Sequence, residues 1–332
     1  MRSFPLPDGS NCSALGFGCG AVMGRVGKPA SLLAMEEAFS QGINLFDTAR
    51  SYGMGQAEAV LGEFLRGKRS QAIVSTKFGI SADAINPGWK AFLLPAARMA
   101  ARNIPALRRA LRKRPEHQVT AAPLTPGHMR SSLELSLKHL RTDYVDFLFL
   151  HDAPAPVMLR DDLFAAMEEL RQEGKVRWYG VSSTVEAGQA MLDAQPGAQA
   201  VQMPANIFNL PLAADAAAKA KSAERGAAAV FLANHTFGGT DSSSFTRQRL
   251  RQLTFNPRLP AEVRAKLPDG RNALLPGVML PLVLRKVGAD AAIVSMMVPA
   301  NVRANVRAVD QDPWSQPDLD HLFDILAHPF DR

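Results

Sequence analysis

The sequence predicts an α/β chain folded as a (β/α)8 barrel, and three observations carry that expectation. Short apolar, strand-like runs alternate with helical stretches along most of the chain. Eight such units follow one another in order, enough to close a parallel barrel through right-handed crossovers. Four polar residues, Asp47, Tyr52, Lys77 and His151, stand at or just past the ends of three of these runs. Parallel strands would bring all four to one rim, the end of such barrels where chemistry takes place.

Taken in order, Leu15 to Gly20 reads as the first strand with a Gly-rich exit, and Ala30 to Gln41 as a helix closed by Gly42. Ile43 to Phe46 is the second strand, followed by a helix from Gln56 to Leu65 that ends at Gly67. Ala72 to Thr76 is the third. After Thr125 and Pro126 comes a helix with Met129, Leu133, Leu137 and Leu140 on one face and Arg130, Glu134, Lys138 and Arg141 largely off it. Tyr144 to Leu150 is strand four, with a helix at Asp161 to Gln172; Val176 to Val181 is strand five, with a helix from Val185. Ala200 to Met203 is strand six, with an Ala-rich helix at Ala213 to Arg225, and Ala228 to Leu232 is strand seven. Ala291 to Val294 and a helix through Val302 to Val306 complete the set.

Two insertions interrupt this rhythm, at about 80–125 and 234–270. Each follows a strand, so each is expected on the active rim, where loops set substrate choice. Between 90 and 114 the first carries Lys90, Arg98, Arg102, Arg108, Arg109, Arg112, Lys113 and Arg114, with no acidic residue. One reading is a cationic lid that touches an anionic ligand or a membrane surface. The other is a solvated helix or a face that docks another protomer.

A chain of 332 residues, 47% hydrophobic, can bury a large core, and barrels of this size form one domain, here 1–332. No run is long and apolar enough to span a bilayer, and the first residues hold no signal-peptide core, so a cytoplasmic location is expected. Cys12 and Cys19, seven residues apart, suit neither a disulfide framework nor a structural zinc site. The net charge of +7 speaks to solubility and steering. Three Tyr and three Trp, without interleaved basic residues, make no stacking platform, which argues against nucleic acid.

The stretch Ile43-Asn44-Leu45-Phe46-Asp47-Thr48-Ala49-Arg50-Ser51-Tyr52-Gly53 resembles the signature of the aldo-keto reductase superfamily. Ser75-Thr76-Lys77-Phe78-Gly79, the segment Arg130 to Lys138, and Asp143 through His151 resemble further motifs of that family. The resemblance implies a nicotinamide-dependent reductase of aldehydes or ketones, working with NADP(H) or NAD(H), and a Tyr-Lys-His-Asp tetrad. Tyr52 would give the proton, Lys77 would lower the phenol's pKa, Asp47 would pair with Lys77, and His151 would orient the substrate oxygen. The hydride chemistry belongs to the cofactor.

The same resemblance assigns cofactor contacts to Gly20, Asp47, Ser182, Ser183, Gln202, Ser295, Arg303 and Asn305. Three departures stand against the family pattern. Ala205 replaces a frequent Tyr before Asn206, and strand seven continues as Ala233-Asn234-His235-Thr236-Phe237-Gly238-Gly239 instead of a Pro-Leu turn. Where NADPH-preferring members tend to carry Lys or Arg, this chain has Ser295, Met297 and Asn301, leaving Arg303 as the segment's basic residue. A 2′-phosphate wants a cation, so a weakened NADPH preference is expected. Two other readings stay open: a non-catalytic nucleotide sensor on the same fold, and a Schiff-base aldolase with Lys77 as nucleophile.

Overall fold

Eight parallel strands close on themselves, each followed by helical structure on the outside. The computed structural model describes residues 1–24, 26–81, 120–222, 227–269 and 273–327. The strands of the barrel are β3 (Leu15–Gly18), β4 (Leu45–Asp47), β5 (Ile73–Phe78), β8 (Val145–His151), β9 (Val176–Ser182), β10 (Ala200–Pro204), β11 (Val230–Asn234) and β12 (Ala291–Val294). Their order around the barrel follows the sequence, and β12 pairs with β3 to close it. An antiparallel hairpin of β1 (Ser3–Pro5) and β2 (Asn11–Ser13) precedes them. A second antiparallel pair, β6 (Ile80–Ser81) with β7 (Thr120–Ala121), brackets residues 82–119, so the basic segment 90–114 lies outside the described residues.

Side chains alternate across a strand with a period of two, and this parity divides the core. Leu45, Ile73, Phe147, Phe149, Trp178 and Leu232 pack with Leu6 and Cys12 of the hairpin, filling the barrel interior. Phe46, Val74, Leu148 and Val201, at the alternate positions, join the outer cluster with the helices. Gly180 is required by closeness: a Cβ there would lie 1.7 Å from the carbonyl oxygen of Ala200 on the neighbouring strand.

The helices are α1 (Lys28–Ser40), α2 (Ala57–Phe64), α3 (Pro126–Leu140), α4 (Asp161–Gln172), α5 (Val185–Ala194), α6 (Leu210–Ala220), α7 (Gly239–Gln252), α8 (Ala261–Ala265), α9 (Leu274–Pro281), α10 (Pro299–Asp310) and α11 (Gln316–Ala327). In α3 the predicted face of Met129, Leu133, Leu137 and Leu140 is buried, and the Thr125 side chain caps the first turn by accepting from the His128 N–H. Beyond Gln41, Gly42 takes φ +84°, as a glycine closing a helix should.

Two expectations need correction. The strands toward the rim run further than read from sequence: β5 reaches Phe78 and β8 reaches His151, so Lys77 and His151 are strand residues. The segment 234–270 is largely helical and is followed by α9 and a π-helical stretch, Leu282–Val287. Its Gly-, Ser- and Thr-rich opening reads as loop, and α9 hides because it holds Pro276, Gly277 and Pro281 and is buried nearly all round, leaving no amphipathic period. Among the described residues no helix is long and apolar enough to cross a membrane.

Candidate active site

The inward parity that buries Leu45, Ile73 and Phe149 continues upward to Asp47, Ser75, Lys77 and His151, so the last inward positions of β4, β5 and β8 are polar. The apolar floor and the polar top belong to the same strands, two residues apart. At the top, the Lys77 ammonium donates to both oxygens of Asp47 at 2.8 Å, to the Thr48 carbonyl at 2.8 Å and to the Tyr52 hydroxyl at 3.3 Å. Lys77 is 2% exposed and Asp47 3%, so the pair is removed from water. Burial pulls the Lys77 pKa down, but the charges of Asp47 and Tyr52 and their hydrogen bonds outweigh it, and the amine is held above its ordinary value. An amine so charged and so fully engaged is a poor nucleophile, which weighs against the aldolase reading.

Tyr52 opens a short 3-10 turn, Tyr52–Gly55, in which Gly53 and Met54 both have left-handed φ. Burial pushes its phenol upward, and Lys77 draws it back without cancelling the rise. The ammonium does lower this pKa, as its charge should, but desolvation of the phenol is the larger effect. The hydroxyl therefore stays protonated at neutral pH. His151 meets the Tyr52 ring edge-on, with centroids 5.8 Å apart. Burial, then the charges of Lys77 and His235, push His151 down to about 3, so it is a neutral imidazole. Its Nδ1 is buried without a hydrogen-bond partner among the described residues.

Ser182 and Gln202 join this network instead of standing apart. The Gln202 amide donates to Asp47 Oδ1 at 2.9 Å, the Ser75 hydroxyl donates to the same oxygen at 2.6 Å, and the Ser182 hydroxyl donates to Gln202 Oε1. Ser183 gives its hydroxyl to the Ala153 carbonyl at 2.8 Å. Gly20 lies against the Tyr52 ring. Beyond β12 the assigned residues separate: Ser295 is exposed, Asn305 is buried with its amide 3.8 Å from the Met296 sulfur, and Arg303 is paired with Glu37 of α1 at 3.0 Å.

Two rim residues escaped the sequence reading as side chains of the site. Asp152 and His235 directly follow the ends of β8 and β11, and both take left-handed φ, 49° and 48°. Each feels the other's charge and that of Lys77, with burial raising the Asp152 pKa and lowering that of His235. The signal available was position alone: a titratable residue one step past a barrel strand. On the same turn Thr236 Oγ1 and Asn234 Oδ1 are buried without partners among the described residues, and Gly238 and Gly239 take φ +89° and +72° where α7 begins.

The family model described as aldo/keto reductase family matches residues 14–222, well over half of the chain. Aldo-keto reductase YhdN of Bacillus subtilis is 30% identical over 206 residues, covering 60% of this chain and 52% of that protein. The chain spans about half the length of the curated relatives it matches. Among solved structures, aldo-keto reductase AKR11C1 from Bacillus halodurans superimposes with a TM-score of 0.70 at 22% identity, covering 100% of this chain and 99% of that one. An aldo/keto reductase from Klebsiella pneumoniae in complex with NADP and acetate gives 0.68 at 20% identity, over 100% and 98%. These two likenesses bear on the fold, which is the barrel described above. With the family match over residues 14–222 and the Asp47–Lys77–Tyr52 constellation at its rim, this chain belongs to the aldo/keto reductase family.

Proposed function

We propose that the chain is an NAD(P)H-dependent reductase of a small aldehyde or ketone, or the oxidoreductase of the reverse reaction, with Tyr52 as the proton donor. The observation that carries this reading is the Lys77 ammonium, held by Asp47 and set 3.3 Å from the Tyr52 hydroxyl at the rim. A nicotinamide nucleotide fits the residues around it: the polar ends of β9 and β10 suit a carboxamide, while the orphaned Thr236 hydroxyl and the Gly238–Gly239 turn suit a pyrophosphate. When bound, the nicotinamide supplies the hydride.

The rest is done by the chain. The carbonyl oxygen sits between Tyr52 and neutral His151, which directs it by a hydrogen bond. As negative charge gathers on that oxygen, Tyr52 releases its proton and the phenolate left behind is stabilised by Lys77, whose own charge Asp47 keeps in place. In the oxidation direction the phenolate takes the alcohol proton instead, and rate climbs with pH.

Arg303 is tied to Glu37, and the frame positions around it carry no other cation, which supports a small discrimination between NADPH and NADH. The test is tryptophan-fluorescence titration with each nucleotide, followed by a panel of carbonyl compounds with a Tyr52→Phe control. Binding with turnover that the control abolishes supports a reductase. Binding without turnover of any carbonyl supports a nucleotide sensor, and no binding leaves a barrel without the family's chemistry.

A further inference from the structure

Thr76 lies between two inward residues of β5, so its own side chain points out of the barrel, away from the chemistry. There its hydroxyl donates to Glu58 Oε1 of α2 at 2.7 Å. The other oxygen of Glu58 accepts from Arg50 Nη1, also at 2.7 Å. Arg50 belongs to the segment that runs from Asp47 to Tyr52, and the same nitrogen donates to His139 Nδ1 of α3 at 2.9 Å. Thr76 and Glu58 are 1% exposed and Arg50 7%.

We propose that Glu58 is a positioning residue that fixes the Tyr52–Lys77 distance, because its two oxygens bind the two segments that carry those groups. Thr76 is the neighbour of Lys77 on β5, and Arg50 stands two residues before Tyr52. One carboxylate therefore braces the phenol-bearing loop against the ammonium-bearing strand from behind the barrel wall. The inference rests on the proposed reaction for its catalytic meaning, though its geometry is independent of it.

Three features favour positioning over simple stability. The first is the form of the Tyr52 turn: the backbone after it runs through three left-handed residues, Gly53, Met54 and Gly55, and Lys77 is its hydroxyl's hydrogen-bond partner among the described residues. The second is the physics of buried ion pairs, which often stabilise no better than apolar packing of the same volume and in some proteins are retained for making the geometry unique. The third is the form of the contact. Thr76 and Arg50 each take a different oxygen, so moving either segment by an ångström breaks a bond below 3 Å. Burial pushes the Glu58 pKa up, but its hydrogen-bond partners and the Arg50 charge more than offset this, so the brace is charged at neutral pH. The charged and titratable groups facing Tyr52 are Lys77, Asp47, His151 and Asp152, and the brace touches none of them directly.

The chain contains only three tyrosines, so carbon-13 NMR of tyrosine labelled at Cζ gives three resonances, and Tyr52→Phe identifies one of them. Lys77→Met calibrates the shift of Tyr52 without its ammonium. Thr76→Val and Glu58→Gln are expected to move the Tyr52 resonance toward that of Lys77→Met, leaving Tyr144 and Tyr179 in place. Thr76→Ser, which keeps the hydroxyl, is expected to restore it. With a turned-over carbonyl, kcat should fall about tenfold in Thr76→Val while the nucleotide KM holds. An unmoved Tyr52 resonance in folded Thr76→Val and Glu58→Gln, with only Tm lowered, overturns the proposal. A moved resonance in a protein that reduces no carbonyl upholds the brace and removes the proposed reaction instead. Should Glu58→Gln fail to fold, Thr76→Val against Thr76→Ser decides the matter alone.

Discussion

The Lys77 nitrogen stands 3.3 Å from the Tyr52 hydroxyl and 4.7 Å from the centre of the same ring, so one cation serves both the oxygen and the π face of the phenol. Tyr52→Phe keeps the ring and removes the proton. Carbonyl reduction is expected to fall by about 10²–10⁴-fold, with nucleotide affinity unchanged within about twofold. Stopped-flow turnover and fluorescence titration on the same preparation check both halves.

Asp47→Asn leaves the Lys77 ammonium buried with its charge partner gone. The expected loss is about 3–5 kcal/mol in denaturant unfolding, with activity reduced beyond what the loss of folded protein explains. A variant as stable as the parent would mean that Thr48 and Tyr52 alone satisfy the ammonium.

His151 makes stability depend on pH. Its folded pKa, about 3, lies below the ordinary value of 6.5, so the unfolded chain takes up the proton first. The stabilisation is complete above pH 6.5 and declines as pH falls toward 3. Between pH 7 and pH 5 this one group withdraws about 2 kcal/mol. A His151→Phe variant is expected to lose correspondingly less over that interval, and parallel unfolding curves at the two pH values would refute the assignment.

With Arg303 paired to Glu37, the proposed site offers a 2′-phosphate little to grip. The ratio of the NADPH and NADH dissociation constants is expected to stay below about tenfold, roughly 1.4 kcal/mol. A hundredfold advantage for NADPH would show that another cation reaches the 2′-phosphate.

Gly180→Ala tests the barrel itself. A Cβ 1.7 Å from the Ala200 carbonyl oxygen forces β9 and β10 apart, and a loss of about 1–3 kcal/mol or more is expected from thermal unfolding. An unchanged Tm would mean the two strands are further apart than described.

Much of the barrel, and the gathering of Asp47, Tyr52, Lys77 and His151 at its rim, was legible because both depend on short-range signals. Period-two alternation, helix-closing glycines and polar residues at strand ends are visible a few positions at a time, as in β5 with Ser75 and Lys77 facing inward. What escaped depends on packing at long range. The helix α9 lacks a polar face because it is covered on nearly all sides. Arg303, the basic residue of its segment, is paired with Glu37 of α1, a partner its neighbours in sequence do not reveal. Thr76 and Glu58 are 18 residues apart and read as a strand residue and a helix residue, and only the crossing of α2 over β5 joins them.

The hairpin of β1 and β2 sets Leu6 and Cys12 against Phe147, Phe149 and Trp178, stoppering the barrel from below. Among the described residues that plug is apolar apart from the Cys12 thiol, whose pKa burial raises, so its side chains offer no proton relay to Tyr52. On the proposed reaction, each proton given up by the Tyr52 phenol would therefore return from the rim, the side on which the carbonyl would enter and the alcohol would leave. Product departure and reloading of the acid would then be successive uses of one doorway, and a bound molecule lingering there would halt both.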